Sequence, residues 1–357
     1  MEFGILGLEL SGKSTLFSLL TGHTPQPSHG RREAHVGVAH VPDHRLDRIA
    51  ELFRPRKTTP ATVRFVDVPA ITRGGTQALN LPELRTMDGL TVVLRAFPSP
   101  LVPHPEGRVD PAQDLELIET ELLLADLAQA EARLDRVARD MVKRRTPDLQ
   151  TEQAALERCH AHLAAGTPLR EADLDSAEQH RLKGFAFLTA KPLLVVLNVG
   201  EDDAADLGHA AERAGLTRWH RRPRVMVSAV CATLEEEVAR LSGEDQAVFL
   251  ADLGLPDRAH ERLLRVAYSL LGLISFITTG EEECRSWSIP EGTPALKAAG
   301  VVHSDFERGF IRAEVVNWKE LLEAESFAAC RTRGTLRLEG RDYVVRDGDV
   351  IIFRFAV

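Results

Sequence analysis

The chain has 357 residues, 44% hydrophobic and 27% charged, which is the balance of a soluble globular protein with room for two or three domains. A formal net charge of −9 at pH 7 argues against non-specific coating of nucleic acid, so no DNA partner is expected, although a local basic face remains open. Cys159, Cys231, Cys284 and Cys330 lack paired spacing, no apolar run approaches a membrane span and no leader pattern is read; a cytoplasmic chain without structural zinc or a membrane partner is expected.

In chain order, Phe3 to Leu6 reads as a buried strand and Ser14 to Leu20 as the start of a helix. Between them stands Gly7-Leu8-Glu9-Leu10-Ser11-Gly12-Lys13-Ser14, which fits the phosphate-binding loop. Its glycines let backbone N–H groups turn inward around phosphate oxygens at a helix N-terminus. Lys13 is expected on the β- and γ-phosphates and the Ser14 hydroxyl on Mg²⁺, with the nucleotide touched along Gly7 to Ser14 and by Thr15.

Val63 to Val68 predicts a second strand, with Asp67 near its end. Asp67 is placed to hold Mg²⁺ through water, as the Asp of an Asp-x-x-Gly motif does, although Ala70 stands where the glycine would be. Pro42 between His40 and His44 speaks against a metal pair there. Leu90 to Leu94 is a third strand.

The texture then changes. Asp114 to Arg145 lacks Gly and Pro, and Leu127, Ala130, Leu134, Val137 and Met141 recur at steps of three and four. Leu156, Cys159 and Leu163 repeat the step after the break at Thr146-Pro147-Asp148. Two antiparallel helices forming a coiled-coil hairpin inserted into the α/β domain are predicted, with ordinary covering helices as the alternative. Arg136, Arg139, Lys143, Arg144 and Arg145 gather towards the tip, either as a solvated face or as a phosphate-contacting surface.

Leu193 to Leu197 predicts a strand covered on both faces. It leads into Asn198-Val199-Gly200-Glu201, at the position where a GTPase carries Asn-Lys-x-Asp. Glu201 is one methylene longer than the Asp that reads guanine. An adenine amino group could be met by Asn198 or by a nearby backbone carbonyl, so the loop leans towards ATP. After Leu273, short alternating segments such as Gly309 to Val315 and Val350 to Phe355 predict a small α+β domain with a mixed sheet.

Long stretches resemble the Obg-like ATPases, the YchF subfamily of P-loop switch proteins. They include Lys191 to Glu201, Cys231-Ala232-Thr233-Leu234-Glu235, Gly300 to Glu314, Glu339 to Val345 and Asp347-Gly348-Asp349-Val350. The resemblance implies a P-loop nucleotide-binding domain (1–110 and 186–273) with a mostly parallel sheet. It also implies an inserted helical domain (111–185) and a C-terminal TGS domain of ubiquitin-like β-grasp type (274–357). It implies preference for ATP over GTP, dependence on Mg²⁺ and association with the ribosome; a monomer that meets the ribosome or its RNA through the hairpin tip and the TGS domain is expected. Cys231 and Ala232 match the loop that packs on the base. His104 matches a proposed catalytic histidine, and a surface loop histidine is the other reading.

Three departures from the family pattern, and one position that keeps it, bear on hydrolysis. Glu9-Leu10 replaces Pro-Asn, and Leu10 offers no oxygen to a monovalent cation. Arg31 falls where a switch Thr is usual. Ala70 adds a Cβ beside the γ-phosphate position, and Ile71, apolar as in the family, cannot orient water. Slow basal hydrolysis is expected. The alternatives are an Obg-type GTPase and a nucleotide-gated ribosome-binding protein with little hydrolysis.

Overall fold

The computed structural model of the chain describes residues 1–23, 35–72, 82–100, 102–255 and 257–356. Within them the chain forms twelve strands, the central ones from apolar runs bounded by Gly, Pro and polar turns. These are β1 (Glu2–Gly7), β2 (His35–His40), β3 (Lys57–Thr59), β4 (Thr62–Asp67), β5 (Gly89–Ala96), β6 (Leu193–Val199), β7 (Val225–Val230), β8 (Leu273–Thr279), β9 (Glu283–Pro290), β10 (Phe310–Asn317), β11 (Arg337–Glu339) and β12 (Asp349–Phe355). The chain divides into two compact units, Met1–Ala39 with Arg64–Val266, and His40–Val63 with Ala267–Val357.

The first unit is built on a sheet of order β2-β4-β1-β5-β6-β7. β4, β1, β5, β6 and β7 pair in parallel, with Ile5 opposite Asp67, Gly7 opposite Val93, Val93 opposite Val196 and Asn198 opposite Val230. Every residue of β6 is buried, as its continuous apolar sequence requires of a strand covered on both faces. Leu6, Val66, Leu90, Val92, Leu94, Val195 and Leu197 share one core with Leu115, Ile118 and Leu122 from the helix Pro111–Lys143.

That helix begins three residues earlier than the periodicity predicts. Asp110 caps it by accepting from the Gln113 N–H at 3.1 Å, and Pro111 fits the first turn because its missing N–H would have no helical partner there. Residues 144–146 reverse the chain. Thr146 then caps the helix Pro147–Ala164, again with Pro in the first turn. The two helices pack through Leu127, Ala130, Leu134, Val137 and Met141 against Leu156, Cys159 and Leu163, the positions picked out by the heptad-like spacing.

The root of the hairpin is held by buried charge. Asp126, with no solvent exposure, accepts from the Leu188 and Thr189 N–H groups and the Thr189 hydroxyl at 2.7 to 3.1 Å, and pairs with Arg85 at 3.1 Å. Such a fully satisfied buried carboxylate fixes the exit direction of the helices far better than apolar packing alone would.

In the second unit the sheet order is β11-β10-β12-β8-β9-β3. It is mixed: β12 runs parallel to β8, and β10 runs antiparallel to β11 and β12. Val315 and Val316, consecutive in β10, enter different cores, so helices cover both faces. The segment His40–Val63 belongs here, although it lies within residues 1–110. The helix His44–Phe53 contributes Leu46 and Ile49 to one core, and β3 pairs with β9.

Candidate nucleotide site

The carboxyl ends of β1, β4, β6 and β7 lie along one edge of the first sheet, the edge where open α/β sheets bind ligands. The phosphate loop leaves β1 at Gly7 and enters the helix Lys13–Thr21. Two glycines are required by space. A Cβ at Gly7 would lie 2.6 Å from the Val93 carbonyl oxygen, and one at Gly12, where φ is 95°, would lie 2.3 Å from Asn198 Nδ2. Leu10 occupies the left-handed region without being glycine (φ 61°), and its side chain is 54% exposed.

Lys13 is buried and donates from Nζ to the Leu8 carbonyl at 3.0 Å. Burial pulls its ammonium below the ordinary lysine value, against the opposing pull of Asp67 and Glu9. The Ser14 hydroxyl donates to Asp67 Oδ2 at 3.1 Å. Asp67 Oδ1 is buried and has no hydrogen-bond partner among the described residues. Burial raises the Asp67 carboxyl above the usual range, although Lys13, Ser14 and His35 oppose the rise.

This donor set suits Mg²⁺. It offers a hydroxyl oxygen and an unpartnered carboxylate oxygen, both hard ligands, beside the phosphate loop. Ser14 would hold the ion by its hydroxyl and Asp67 would hold it through a bound water.

Asn198 ties the phosphate loop to the segment after β7. Its Nδ2 donates to the Ser11 carbonyl at 3.2 Å, and its Oδ1 accepts from the Ala232 N–H at 3.1 Å. The carboxamide is thus committed at both ends to the protein. Cys231 and Ala232 are buried, and Cys231 Sγ lies 3.3 Å from Thr233 Oγ1. Val199 is buried, whereas Glu201 is exposed and opens a 3₁₀ helix. Ile71 is buried in the core and its N–H donates to the Gly7 carbonyl at 3.0 Å, so its side chain is unavailable to water. Ala70 is half-buried. Arg31 and its neighbours from 28 to 34 lie outside the described residues.

His104 is not a surface loop residue. Its side chain is 5% exposed, with Nε2 3.1 Å from Asp114 Oδ2 and Nδ1 accepting from the Glu106 N–H at 3.2 Å. Neither partner belongs to the phosphate loop. Burial lifts the Asp114 carboxyl to about 6, against the opposing effect of His104.

Two charged residues behind this loop carried no sequence signal of function. Arg95 is almost wholly buried and donates to the carbonyls of Phe97 at 3.1 Å and Val102 at 2.9 Å, fixing the start of the segment that carries His104. Asp114 reads in sequence only as an acidic residue in a first helical turn. At the other end of the same helix Arg136, Arg139, Lys143, Arg144 and Arg145 are all exposed, around a Val142 that is 89% exposed.

A family model named YchF-GTPase_C, described as a protein of unknown function (DUF933), matches residues 273–356. The "Ribosome-binding ATPase YchF" of Bacillus subtilis is 38% identical, with 99% of each chain covered. The Escherichia coli O157:H7 protein of the same name is 35% identical, again over 99% of each chain. The solved structure of the Schizosaccharomyces pombe YchF GTPase superposes with a TM-score of 0.82 at 26% identity, covering 99% of this chain and 97% of that one. Identity of this extent along the whole length, on a fold that presents a phosphate loop at the sheet edge, establishes that the chain belongs to the YchF family of Obg-related P-loop NTPases.

Proposed function

We propose that the protein is an ATP-binding and ATP-hydrolysing switch that docks on the ribosome in the cytoplasm as a monomer. The observation that carries the enzymatic part is the Ser14–Asp67 pair beside Lys13, with one Asp67 oxygen left open for a Mg²⁺-bound water. Mg²⁺ would neutralise charge on the β- and γ-phosphates. Lys13 would leave the Leu8 carbonyl for phosphate, and backbone N–H groups from Gly7 to Thr15 would hold the remaining oxygens.

Preference for ATP rests on Glu201 in place of the guanine-reading Asp and on the ATPase names of the bacterial relatives. Slow basal turnover follows from a buried Ile71, an oxygen-free Leu10 and a His104 that is hydrogen-bonded away from the phosphate loop. His104 is the catalytic candidate once a partner rearranges its loop. The relatives' names support a ribosomal partner, and the exposed basic hairpin tip together with the C-terminal unit, read as a TGS domain, would meet it.

Calorimetry with ATP and GTP analogues, followed by phosphate release with and without ribosomes, tests the reading. ATP should bind several-fold better than GTP, Glu201→Asp should narrow the gap, and Lys13→Ala should lose affinity by tens-fold or more as a charged phosphate contact disappears. Equal or tighter GTP binding would instead identify an Obg-type GTPase. Absence of turnover under every condition would identify a nucleotide-gated binding protein.

A further inference from the structure

We propose that Asp114 is a latch that holds His104 out of action until the root of the helical hairpin moves. The inference rests on the reading of His104 as the catalytic group and adds the device that keeps it silent.

The ring itself supplies the first argument. The Glu106 N–H points at Nδ1, which must therefore act as an acceptor, so the proton of the neutral imidazole sits on Nε2. That Nε2–H is the donor a γ-phosphate oxygen or the attacking water would need. It is spent on Asp114 Oδ2 at 3.1 Å, in a contact where the two side chains are 5% and 3% exposed. The working atom is thus the latched atom.

The surrounding loop makes the latch decisive. Arg95 grips the Phe97 and Val102 carbonyls on one side of His104. On the other side the Gly107 N–H donates to the His104 carbonyl at 2.9 Å, and Asp110 caps the following helix. With both flanks held, departure of the ring requires the Asp114 bond to break. Breaking it alone would strand a buried carboxylate, already crowded by Glu106 and Asp110, without its donor. Release therefore needs a shift of the helix that carries Asp114.

That helix is the first arm of the hairpin. Asp114 stands in its first turn and Lys143 ends it, 29 residues and about 44 Å away at the α-helical rise. A partner seated on the basic tip acts on a stiff arm that passes the Asp126 anchor and carries the latch in its first turn. One element thus joins the docking surface to the catalytic candidate.

The test compares ATP turnover of the full-length protein, without ribosomes, in the parent, Asp114→Ala, Asp114→Asn, His104→Ala and the Asp114→Ala/His104→Ala double variant. Loss of a hydrogen bond to a charged group corresponds to about tenfold or more. Asp114→Ala should raise basal kcat by that factor with KM for ATP unchanged, and the double variant should fall back to the level of His104→Ala. Asp114→Asn keeps an acceptor oxygen and should rise less, which also provides a reading should the alanine variant not fold. A purely structural role for Asp114 would not produce a gain that vanishes with His104. Unchanged or reduced basal turnover in both folded Asp114 variants would overturn the latch. Ribosome-stimulated turnover in His104→Ala separates the two readings: its loss with no rise in the Asp114 variants overturns the latch alone, and its survival removes the catalytic histidine and the latch with it.

Discussion

Asn198, near the carboxyl end of β6, donates its carboxamide N–H to the Ser11 carbonyl, joining that strand to the phosphate loop across 187 positions of sequence. The same amide accepts from the Ala232 N–H, so one buried side chain fastens the end of β6 to the segments that follow β1 and β7. The phosphate loop is thereby tied to the segment after β7 by hydrogen bonds, and preorganisation of this kind lowers the cost of binding.

Removing this fastener should be felt twice. Asn198→Ala leaves the Ser11 carbonyl and the Ala232 N–H without their buried partner, a cost of roughly 1–3 kcal/mol each when unsatisfied. The melting temperature should fall, and ATP affinity should fall by more than tenfold with both phosphate and base contacts weakened. Calorimetry with ATP and with inorganic triphosphate checks it. An unchanged triphosphate affinity would show that the phosphate loop keeps its shape without the amide.

Leu10 carries a backbone conformation that suits it badly. At φ 61° its Cβ crowds the carbonyl, and the exposed side chain gains little in return. Leu10→Asn should stabilise the protein by roughly 1 kcal/mol, because a short polar side chain tolerates the left-handed region. It also supplies the oxygen that the family pattern places there, so hydrolysis should acquire a dependence on K⁺. Equal stability and turnover in K⁺ and Na⁺ salts would contradict both expectations.

What the sequence disclosed and what it withheld divide along a physical line. β1, β4, β5 and β6 are legible because each is an apolar run bounded by turn residues, and the phosphate loop because its chemistry demands fixed spacing. The hairpin is legible because helix–helix packing imposes its period on Leu127 to Met141. β7 is an edge strand with half-buried Met226, Val227 and Ser228, so its pattern is weak. β3 is three residues long and gains its identity from β9, far along the chain. The burial of the His104 side chain has the same origin. Its local sequence, rich in Pro and Gly, reads as open loop, and only the fold brings Asp114 against the ring. The clamping role of Asn198 depends on Ser11 and Ala232, which its own stretch of sequence does not disclose.

Acid should act through a second histidine. His260 stands in the first turn of the helix Ala259–Leu270, and burial together with Arg258 pulls its imidazole down to about 4. An unfolded histidine titrates near 6.5, so between those values the unfolded chain binds a proton that the native chain refuses. Stability therefore rises with pH through this window and is lost on acidification, by about 1.4 kcal/mol per pH unit at most. Above about pH 7 the residue contributes no pH dependence. His260→Gln should melt with a smaller drop between about pH 7 and pH 5 than the parent. Parallel curves for the two proteins would show that this imidazole titrates normally.

The hairpin tip gives the last prediction. Arg139, Lys143, Arg144 and Arg145 are exposed where the chain reverses, and Lys143 has only a loose 4.0 Å pairing with Asp140. A solvated helix face would leave such charges indifferent to each other. A docking surface would use them together against phosphate, releasing counterions as each ion pair forms. Neutralising all four to Gln keeps the helical propensity and length of the arm while removing the charge. Co-sedimentation with ribosomes should then weaken, and its dependence on salt should flatten in proportion to the number of phosphates no longer neutralised. ATP affinity should stay at the parental value, because the phosphate loop lies in the sheet at the other end of the arm. Ribosome binding that keeps both its strength and its salt slope would reduce the cluster to a solvated face and move the docking role to the C-terminal unit.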